Sequence, residues 1–115
     1  MKLWIDDVRP SPDDSYVTAK SVNEAKKEIF FYLLLGSLIY KNDNEELVLD
    51  IDHDAGDYAK DGGDYIKLLD WLERIKIFDV LKENNIYCAI HIHSMNPVGI
   101  ENMRTIIRKN NWREI

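Results

Sequence analysis

The stretch LVLDIDHDAG, residues 47–56, decides the fold of this chain. Residues 47–51 are apolar on both sides of a predicted strand except at Asp50, as in a central strand of a parallel sheet. The strand runs directly into the acid–histidine–acid sequence of residues 52–54. In open parallel sheets, ligands bind outside the carboxyl ends of the strands. This stretch therefore predicts an α/β fold with ionisable groups at one edge of its sheet.

Strand-like and helix-like segments alternate along the whole chain. Two prolines within residues 9–14 exclude a long helix there, so the first two strands are joined by a turn-rich segment. Ser21 and Glu24 have the spacing of a capping box, and Asn96-Pro97 predicts the start of another helix. The alternation predicts a three-layer sandwich with a parallel sheet and helices on both faces. Predicted strands cover residues 2–6, 16–19, 47–51 and 86–92, predicted helices cover 21–40, 63–81 and 97–110, and 41–44 form a polar turn.

The composition bounds the function of the chain. Its 115 residues suit one domain, residues 1–115, and the 21 acidic against 15 basic side chains give a net charge of −6. Such a charge provides no general attraction for duplex nucleic acid. The longest apolar run, residues 29–40, is too short to span a bilayer, so no membrane partner is expected. The single Cys88 excludes an internal disulfide, and we expect a cytoplasmic protein whose oligomeric state is open.

Ionisable residues gather where three predicted strands end. An acidic stretch is usually only a solvated surface, but here the acids interrupt an apolar strand pattern, and all three histidines fall in the same segments. Residues at positions i and i+2 of a strand share a face, so His91 and His93 point the same way. His93 lies nearer the mouth and is the better catalytic candidate. His91 lies deeper in the strand, where a structural role is as well supported as a functional one. Asp50 lies inside the strand, as expected of a buried, hydrogen-bonded acid. The first strand end carries Asp6, Asp7 and Arg9, the third Asp52, His53 and Asp54, and the fourth His91, His93, Ser94 and Asn96.

Carboxylates crowded at one point repel each other, which a divalent cation or a protonated histidine would relieve. Oxygen-rich ligands favour Mg²⁺, Mn²⁺ or Ca²⁺, and nearby imidazoles tolerate Mn²⁺ or Zn²⁺. We therefore expect Mg²⁺ or Mn²⁺ as the cofactor, although no fixed ligand spacing identifies the ion. The candidate ligands are Asp6, Asp7, Asp52 and Asp54.

The segment SMNPVG, residues 94–99, offers a second kind of site. Asn96-Pro97 opens a helix, and the backbone N–H groups near Gly99 would present the positive end of its dipole to an anion. Ser94 and Asn96 add hydrogen-bonding groups. A phosphate is the expected ligand, and the capping role of Asn96 is compatible with it.

These residues resemble a response-regulator receiver domain. The segment YVTAKSVNEAKKEI, residues 16–29, is similar to the second strand and helix of receivers, and Asp6-Asp7 match their metal-binding pair. Asp52 matches the end of their third strand, with Asp50 as the alternative register, and Ser94 matches their hydroxyl residue after the fourth strand. The resemblance implies a flavodoxin-like sheet of about four strands in the order 2-1-3-4. The first receiver helix, the fifth strand and its phosphate-binding lysine have no counterpart here.

A closer resemblance is to the receiver-derived family of cyclic-phosphate-processing domains. It rests on LWIDDVRPSP (3–12), LDIDHDAG (49–56) and IHIHSMNPVGIENMRTIIRKNNW (90–112), and it covers nearly the whole chain. The resemblance implies hydrolysis of cyclic phosphates of nucleotides or RNA ends, in nucleotide-signal immunity or its evasion. In this interpretation His53, His93, Asp52 and Ser94 are catalytic, and Arg9, His91, Asn96 and Gly99 bind the substrate.

Two other functions remain open at this stage. The domain could bind a cyclic nucleotide without turning it over, as a sensor or sponge would. It could also be a degenerate receiver that contacts another protein through residues 30–33 or through Ile106 and Ile107. Incubation with cyclic nucleotides distinguishes the three functions. An enzyme forms a new product, a sensor or sponge binds tightly without product, and an interaction domain does neither.

Overall fold

The computed structural model describes residues 1–39 and 45–115. The predicted turn at 41–44 and the last residue of the first predicted helix, Tyr40, lie outside these residues. The strands are β1 (Lys2–Ile5), β2 (Tyr16–Ala19), β3 (Glu45–Ile51), β4 (Ile86–Ile92) and β5 (Arg113–Glu114). The helices are α1 (Val22–Ile39), α2 (Ile66–Arg74), α3 (Ile77–Glu83) and α4 (Pro97–Lys109), with a 3₁₀ helix at Gly56–Lys60.

The five strands form one parallel sheet in the order β2-β1-β3-β4-β5. The predicted α/β class, the parallel sheet and the order 2-1-3-4 are confirmed. The apolar strand β3 lies at the centre, between β1 and β4. The sheet also has a fifth strand that the sequence did not predict: Arg113 and Glu114 pair with Ala89 and Ile90 of β4. A strand of two charged residues has no apolar alternation by which it could be recognised.

The layering differs from the predicted sandwich, because the helices cover only one face of the sheet. The buried apolar side chains of all four helices belong to a single core cluster. From the sheet, that cluster contains alternate residues of the strands, which share one face. They are Leu3, Ile5, Ala19, Leu47, Leu49, Ile51, Ile86 and Ile90.

The direction of the connections explains this arrangement. The crossovers from β2 to β3, from β3 to β4 and from β4 to β5 all move the same way across the sheet. Right-handed crossovers that move in one direction place their helices on one face. Only the step from β1 to β2 moves the opposite way, and no helix lies between these strands. The fold is therefore a two-layer sheet-and-helix structure.

The other face of the sheet, which we call the open face, carries aromatic and ionisable side chains. Trp4, Asp50 and His91 are neighbours in the strand register and share this face. The ring of Tyr16 meets Trp4 edge-on, with the ring centroids 5.8 Å apart. Lys2 Nζ lies 4.4 Å from the centre of the Tyr16 ring. Trp4 is buried here without any helix over it, because its neighbouring side chains cover it.

The predicted helix over residues 63–81 is interrupted. Residues 66–74 form α2, and α3 begins at Ile77 after Lys76 adopts a left-handed conformation with φ 53°. Ile75, expected on the buried face, is instead 39% exposed in the corner between the two helices. The helix also begins later than predicted, because Gly62 and Gly63 have φ values of 113° and 90° and belong to the preceding loop.

Among residues 1–39 and 45–115, no helix combines the length and the apolar character that crossing a bilayer requires.

Replacement of Lys76 by glycine should stabilise the protein, because glycine adopts a left-handed φ without the steric cost that a Cβ imposes. We expect the free energy of unfolding to rise by about 1 kcal/mol. Chemical denaturation measures this change. Lys27→Gly, at an exposed position within α1, is the matched control and should lower the free energy of unfolding by about 0.5–1 kcal/mol. A loss of stability in Lys76→Gly would contradict the assignment of strain to this corner.

Candidate functional site

The strand ends meet at one edge of the sheet because the hydrogen-bond ladder continues one residue beyond each strand. Asp52 N donates to Ile5 O at 3.0 Å, and His93 N donates to Ile51 O at 3.0 Å. Asp6 N likewise donates to Ala19 O at 3.2 Å. The backbones of Asp6, Asp52 and His93 are therefore fixed relative to one another by the sheet itself.

His93 lies between two buried aspartates. Its Nδ1 is 2.6 Å from Asp50 Oδ1, and its Nε2 is 2.9 Å from Asp6 Oδ2. Both ring nitrogens therefore act as donors, as they do in the protonated ring. The ring also stacks on Trp4, with centroids 3.8 Å apart and planes 3° from parallel.

The surroundings favour the charged form of this histidine. Burial lowers the pKa of His93, but the hydrogen bonds and the charges of Asp50 and Asp6 outweigh burial, and the pKa is raised overall. A protonated imidazole on the face of an indole adds a cation–π contact. The two carboxylates therefore favour the protonated form of His93.

Asp6 is held as an anion by the loop that follows it. Its Oδ1 accepts the N–H groups of Val8 and Arg9 at 2.9 and 2.8 Å. Burial raises the pKa of Asp6, but these two backbone hydrogen bonds and His93 outweigh burial and lower the pKa overall. Arg9 Nε lies 3.8 Å from Asp6 Oδ2 on a half-exposed side chain.

Asp6, Asp7 and Asp52 form an acid cluster at the site. Burial raises the pKa of Asp7, and the neighbouring charges of Asp6 and Asp52 raise it further. Gly56 borders the cluster with φ 54°, and a Cβ there would overlap Asp7 Oδ2. The cluster therefore has little room for larger side chains on that side.

The charges at this edge leave an excess of negative charge. Asp6, Asp7, Asp50 and Asp52 are four acids, and His93 and Arg9 provide two positive charges. Single ligand atoms of Asp6, Asp52 and His93 lie within 4.8 Å of one another. Carboxylate oxygens with two uncompensated charges fit a hard divalent cation such as Mg²⁺. These residues could hold one, as receiver domains hold Mg²⁺ through acidic residues.

His53 is arranged differently from His93. Its Nδ1 lies 2.8 Å from Asp54 Oδ1, and no described residue hydrogen-bonds to its Nε2. The ring packs against Gly99, where a Cβ would come within 2.6 Å of His53 Cδ2. The contact with Asp54 therefore fixes the orientation of the His53 ring.

Residues 94–99 form the predicted helix start. Asn96 Oδ1 accepts the N–H of Gly99 at 3.0 Å, and Ser94 Oγ accepts the N–H of Asn96 at 3.1 Å. The Gly99 N–H is thus used within the chain. Asn96 Nδ2 lies 3.5 Å from both His53 Nδ1 and Asp54 Oδ2, so the α4 start and the β3 end are in contact.

The structure separates the predicted site residues into two adjoining groups. The first is the acid cluster with His93, and the second contains His53, Asp54, Asn96 and Gly99. They are joined at Asp52, whose Oδ1 accepts the N–H of His53 at 2.7 Å. Asp54, predicted as a metal ligand, belongs to the second group and is paired with His53. His91 belongs to neither, because it lies exposed on the open face and contacts Ile115 O at 2.8 Å.

Sequence reasoning missed Trp4 as part of this site. The signal was its register: Trp4 pairs with Asp50 across the sheet, so the two side chains share a face with the histidine that follows β4. Asp50 was recognised only as a buried, hydrogen-bonded acid. Its role as the partner of His93 depends on a contact between residues 43 positions apart.

Another groove in the described part of the chain lies away from the strand ends. It has a volume of about 710 Å³ and begins at the start of β4, between Phe78, Cys88 and Trp112. Phe78 and Trp112 stack with their centroids 4.4 Å apart. Burial raises the pKa of the Cys88 thiol to about 12, so this thiol is a poor nucleophile at neutral pH. We place the functional site at the strand ends, where the histidines and acids converge.

Comparison with known families gives one match. A family model described as the cyclic-phosphate processing receiver domain matches residues 1–109. No curated protein and no solved structure matches the chain.

Replacement of His93 by alanine should destabilise the protein, because it leaves the Asp6 and Asp50 carboxylates buried without their counter-charge. We expect the free energy of unfolding to fall by about 3–5 kcal/mol. Denaturation in metal-free buffer measures this. The control His91→Ala removes the exposed histidine of the same strand and should cost about 1 kcal/mol or less. His93→Gln, which keeps hydrogen-bonding capacity without the charge, should cost less than His93→Ala. Equal stability of His93→Ala and His91→Ala would contradict the bridging role.

The same contacts determine how stability varies with pH. Because the pKa of His93 is raised above its ordinary value of 6.5, its contribution is complete below pH 6.5 and is lost as pH rises through the folded value. The pKa of Asp6 is lowered below 3.8, so its contribution is complete above that pH and is lost on acidification. The difference in stability between the native protein and His93→Gln should therefore shrink above pH 6.5. A constant difference up to pH 9 would contradict this.

Proposed function

The chain belongs to the family of cyclic-phosphate processing receiver domains, and we propose that it hydrolyses a cyclic phosphodiester of a nucleotide or an RNA end. The observation that carries the proposal is the His53–Asp54 pair, whose contact at 2.8 Å leaves Nε2 without a partner among the described residues. This base adjoins the acid cluster through Asp52. A base beside a candidate cation site is the combination that phosphodiester hydrolysis uses.

In the proposed reaction, His53 Nε2 takes a proton from a water molecule while the oxygen of that water attacks the phosphorus atom. The bond between phosphorus and the ring oxygen breaks, and the departing oxygen acquires a proton from bulk water. The proton held at Nε2 returns to the resulting hydroxide. One water is consumed, and the cyclic diester becomes a phosphomonoester. Asp54 holds the His53 ring in one orientation throughout, and Asp52 orients the backbone that carries it.

The hydrogen bonds of His93 favour a fixed charge over proton transfer. Both of its nitrogens are engaged with carboxylates, and its side chain is only 10% exposed. We therefore assign the acid–base role to His53 alone and treat His93 as a positioning residue. It holds the Asp6 carboxylate beside Asp52 and supplies positive charge near the bound phosphate.

Groups for phosphate binding border the same two clusters. Arg9 has a half-exposed guanidinium next to Asp6, and its forked N–H groups match phosphate oxygens. Asn96 Nδ2 is within 3.5 Å of the His53–Asp54 pair. Ser94 lies at the same helix start, where its Oγ orders the turn. The Gly99 N–H serves the cap, so Gly99 contributes through close packing against His53.

A divalent cation, Mg²⁺ or Mn²⁺, is part of the proposal. Asp6, Asp7 and Asp52 would hold it, since the acids at this edge outnumber the positive charges by two. When bound, the ion would act as a Lewis acid that polarises the phosphoryl oxygen. His93 would not be a ligand, because both of its ring nitrogens already face carboxylates.

Loss of the His53 base should abolish most of the hydrolysis. We expect His53→Ala to reduce the rate by about 10²–10⁴-fold, the usual range for removal of a general base. The assay is a panel of 2′,3′-cyclic and 3′,5′-cyclic mononucleotides, cyclic dinucleotides and RNA ends, with and without Mg²⁺. Thr105→Ala, on the exposed side of α4, is the control and should retain the native rate.

The same panel tests the other two functions. Tight binding of a cyclic nucleotide without any product would replace the hydrolase proposal by a sensor or sponge. Absence of both binding and product would leave a protein-interaction domain, for which Phe30, Phe31, Leu34 and Leu35 of α1 are exposed. An active His53→Ala protein would contradict the assignment of the base.

Metal binding can be measured without turnover. Mn²⁺ bound at the acid cluster should broaden the NMR signals of residues near Asp7 and Asp52, and should raise the melting temperature. Asp7→Asn and Asp52→Asn should each weaken binding at least tenfold. Asp70→Asn removes the same charge from the exposed side of α2 and should leave binding unchanged. Broadening that persists in both cluster variants would place the ion elsewhere.

A further inference from the structure

A second cleft opens directly beside the acid cluster. It has a volume of about 280 Å³ and shares Asp6 and Asp7 with that cluster. One wall is the loop after β1, from Val8 to Ser11, and the other wall is the end of β2, at Thr18 and Lys20. Trp4 lies at its base. The cleft therefore continues from the candidate reaction centre to the surface.

The cleft exists because no helix connects β1 to β2. The chain instead turns back in a loop that is held by its own contacts. Asp6 Oδ1 accepts the N–H groups of Val8 and Arg9, and Trp4 Nε1 donates to Arg9 O at 2.9 Å. Pro10 further restricts the backbone. The wall is thus preformed by hydrogen bonds to buried groups, which is the usual condition of a binding site.

The opposite wall is fixed just as firmly. Lys20 N donates to Glu24 Oε2 at 2.8 Å, and Lys20 O accepts the hydroxyl of the buried Tyr65 at 2.7 Å. Its side chain remains exposed, with Nζ 5.7 Å from the centre of the Tyr58 ring. Thr18 precedes it on the strand with its side chain exposed. A mobile cation on a rigid backbone suits recognition of an anionic group.

The chemistry of the cleft differs from that of the acid cluster. Val8 is 80% exposed, and with Pro10 and Trp4 it gives the cleft an apolar lining. Arg9 and Lys20 place two cations around it, in a chain whose net charge is −6. An apolar lining between two cations complements a molecule that joins a flat apolar group to a phosphate.

We propose that this cleft is the subsite for the base and ribose of a single nucleotide whose cyclic phosphate lies at the acid cluster. This inference rests on the proposed function and names its substrate class. A volume of about 280 Å³ lies just below the roughly 300–1,000 Å³ of small-molecule sites, which limits the occupant to one nucleoside. Lys20 and Arg9 bind phosphate oxygens from the two walls.

The test is binding of mononucleotides to the full chain carrying His53→Ala, in which turnover is suppressed. The probes are 2′,3′-cyclic AMP, 3′,5′-cyclic AMP and their uridine counterparts, with inorganic phosphate as the reference, measured by calorimetry. At least one mononucleotide should bind tenfold or more tightly than phosphate. Lys20→Met should weaken that binding about tenfold, the effect of losing one charged hydrogen bond. Lys27→Met, which removes an exposed charge from α1, should leave it unchanged.

Two further measurements locate the ligand. Thr18→Trp fills the cleft from an exposed strand position that tolerates aromatic residues, and it should abolish nucleotide binding. The indole N–H of Trp4 should shift in the NMR spectrum on binding, whereas those of Trp71 and Trp112 should not. A shift of Trp112 alone, or equal affinities for phosphate and every mononucleotide, would overturn the proposal.

The outcomes separate this subsite from the proposed activity. Nucleotide binding that Lys20→Met and Thr18→Trp weaken, in a protein that forms no product, supports the subsite and contradicts the hydrolase. In the protein that retains His53, hydrolysis that neither Lys20→Met nor Thr18→Trp alters supports the hydrolase and contradicts the subsite.

Discussion

The structure depends on one imidazole ring held between two buried carboxyl groups. His93 follows β4, Asp50 lies within β3, and Asp6 follows β1, so a single imidazolium connects the three central strands. Removing these charges from water is costly, and the cost is offset because both ring nitrogens donate to carboxylates. Trp4 completes the arrangement, since its ring covers the imidazolium on the face that lacks helices. The geometry of the acid cluster is therefore determined inside the sheet.

This constraint gives the open face its composition. In a three-layer fold, helices would cover both faces of the central strands, and both faces would carry apolar side chains. Here every helical crossover moves in one direction, so the open face of the sheet is covered only by side chains of the strands themselves. Trp4, Tyr16, Asp50 and His93 do so through ring contacts and hydrogen bonds. The missing helix after β1 also leaves the space that becomes the cleft.

Much of the architecture could be predicted from the sequence. The apolar run of β3 and the segments around it predicted the sheet, because strand periodicity and strand-end polarity are local properties. The layering could not be predicted from alternation alone, since the face that a helix covers depends on the direction of each crossover. Strand β5 has two residues, and the left-handed Lys76 that divides α2 from α3 has no characteristic residue type. Both lie below the length at which a pattern can be recognised.

For the site, the sequence predicted most of the residues that gather, apart from Trp4 and with His91 in excess, but not what each does. His53 and His93 both follow a strand, and their positions in the sequence give no reason to assign them different roles. Their difference lies in which ring nitrogens have partners, and His93 meets Asp6 from 87 residues away. Asp54, predicted as a metal ligand, contacts its neighbour His53 instead. Sequence spacing alone does not show whether such an aspartate binds a metal ion or a histidine. Roles of this kind depend on long-range contacts.

The short outer strands have a consequence for association of the protein. Further strands can add to the unpaired backbone groups at the edges of a sheet, and long flat edges promote aggregation. Here one edge is β2, with four residues, and the other is β5, with two. Each offers few unpaired N–H and C=O groups. Arg113 of β5 reaches across β4 to Glu46 of β3, with 3.7 Å between Nη1 and Oε1. Among the described residues, short edges of this kind limit pairing with a strand of another chain.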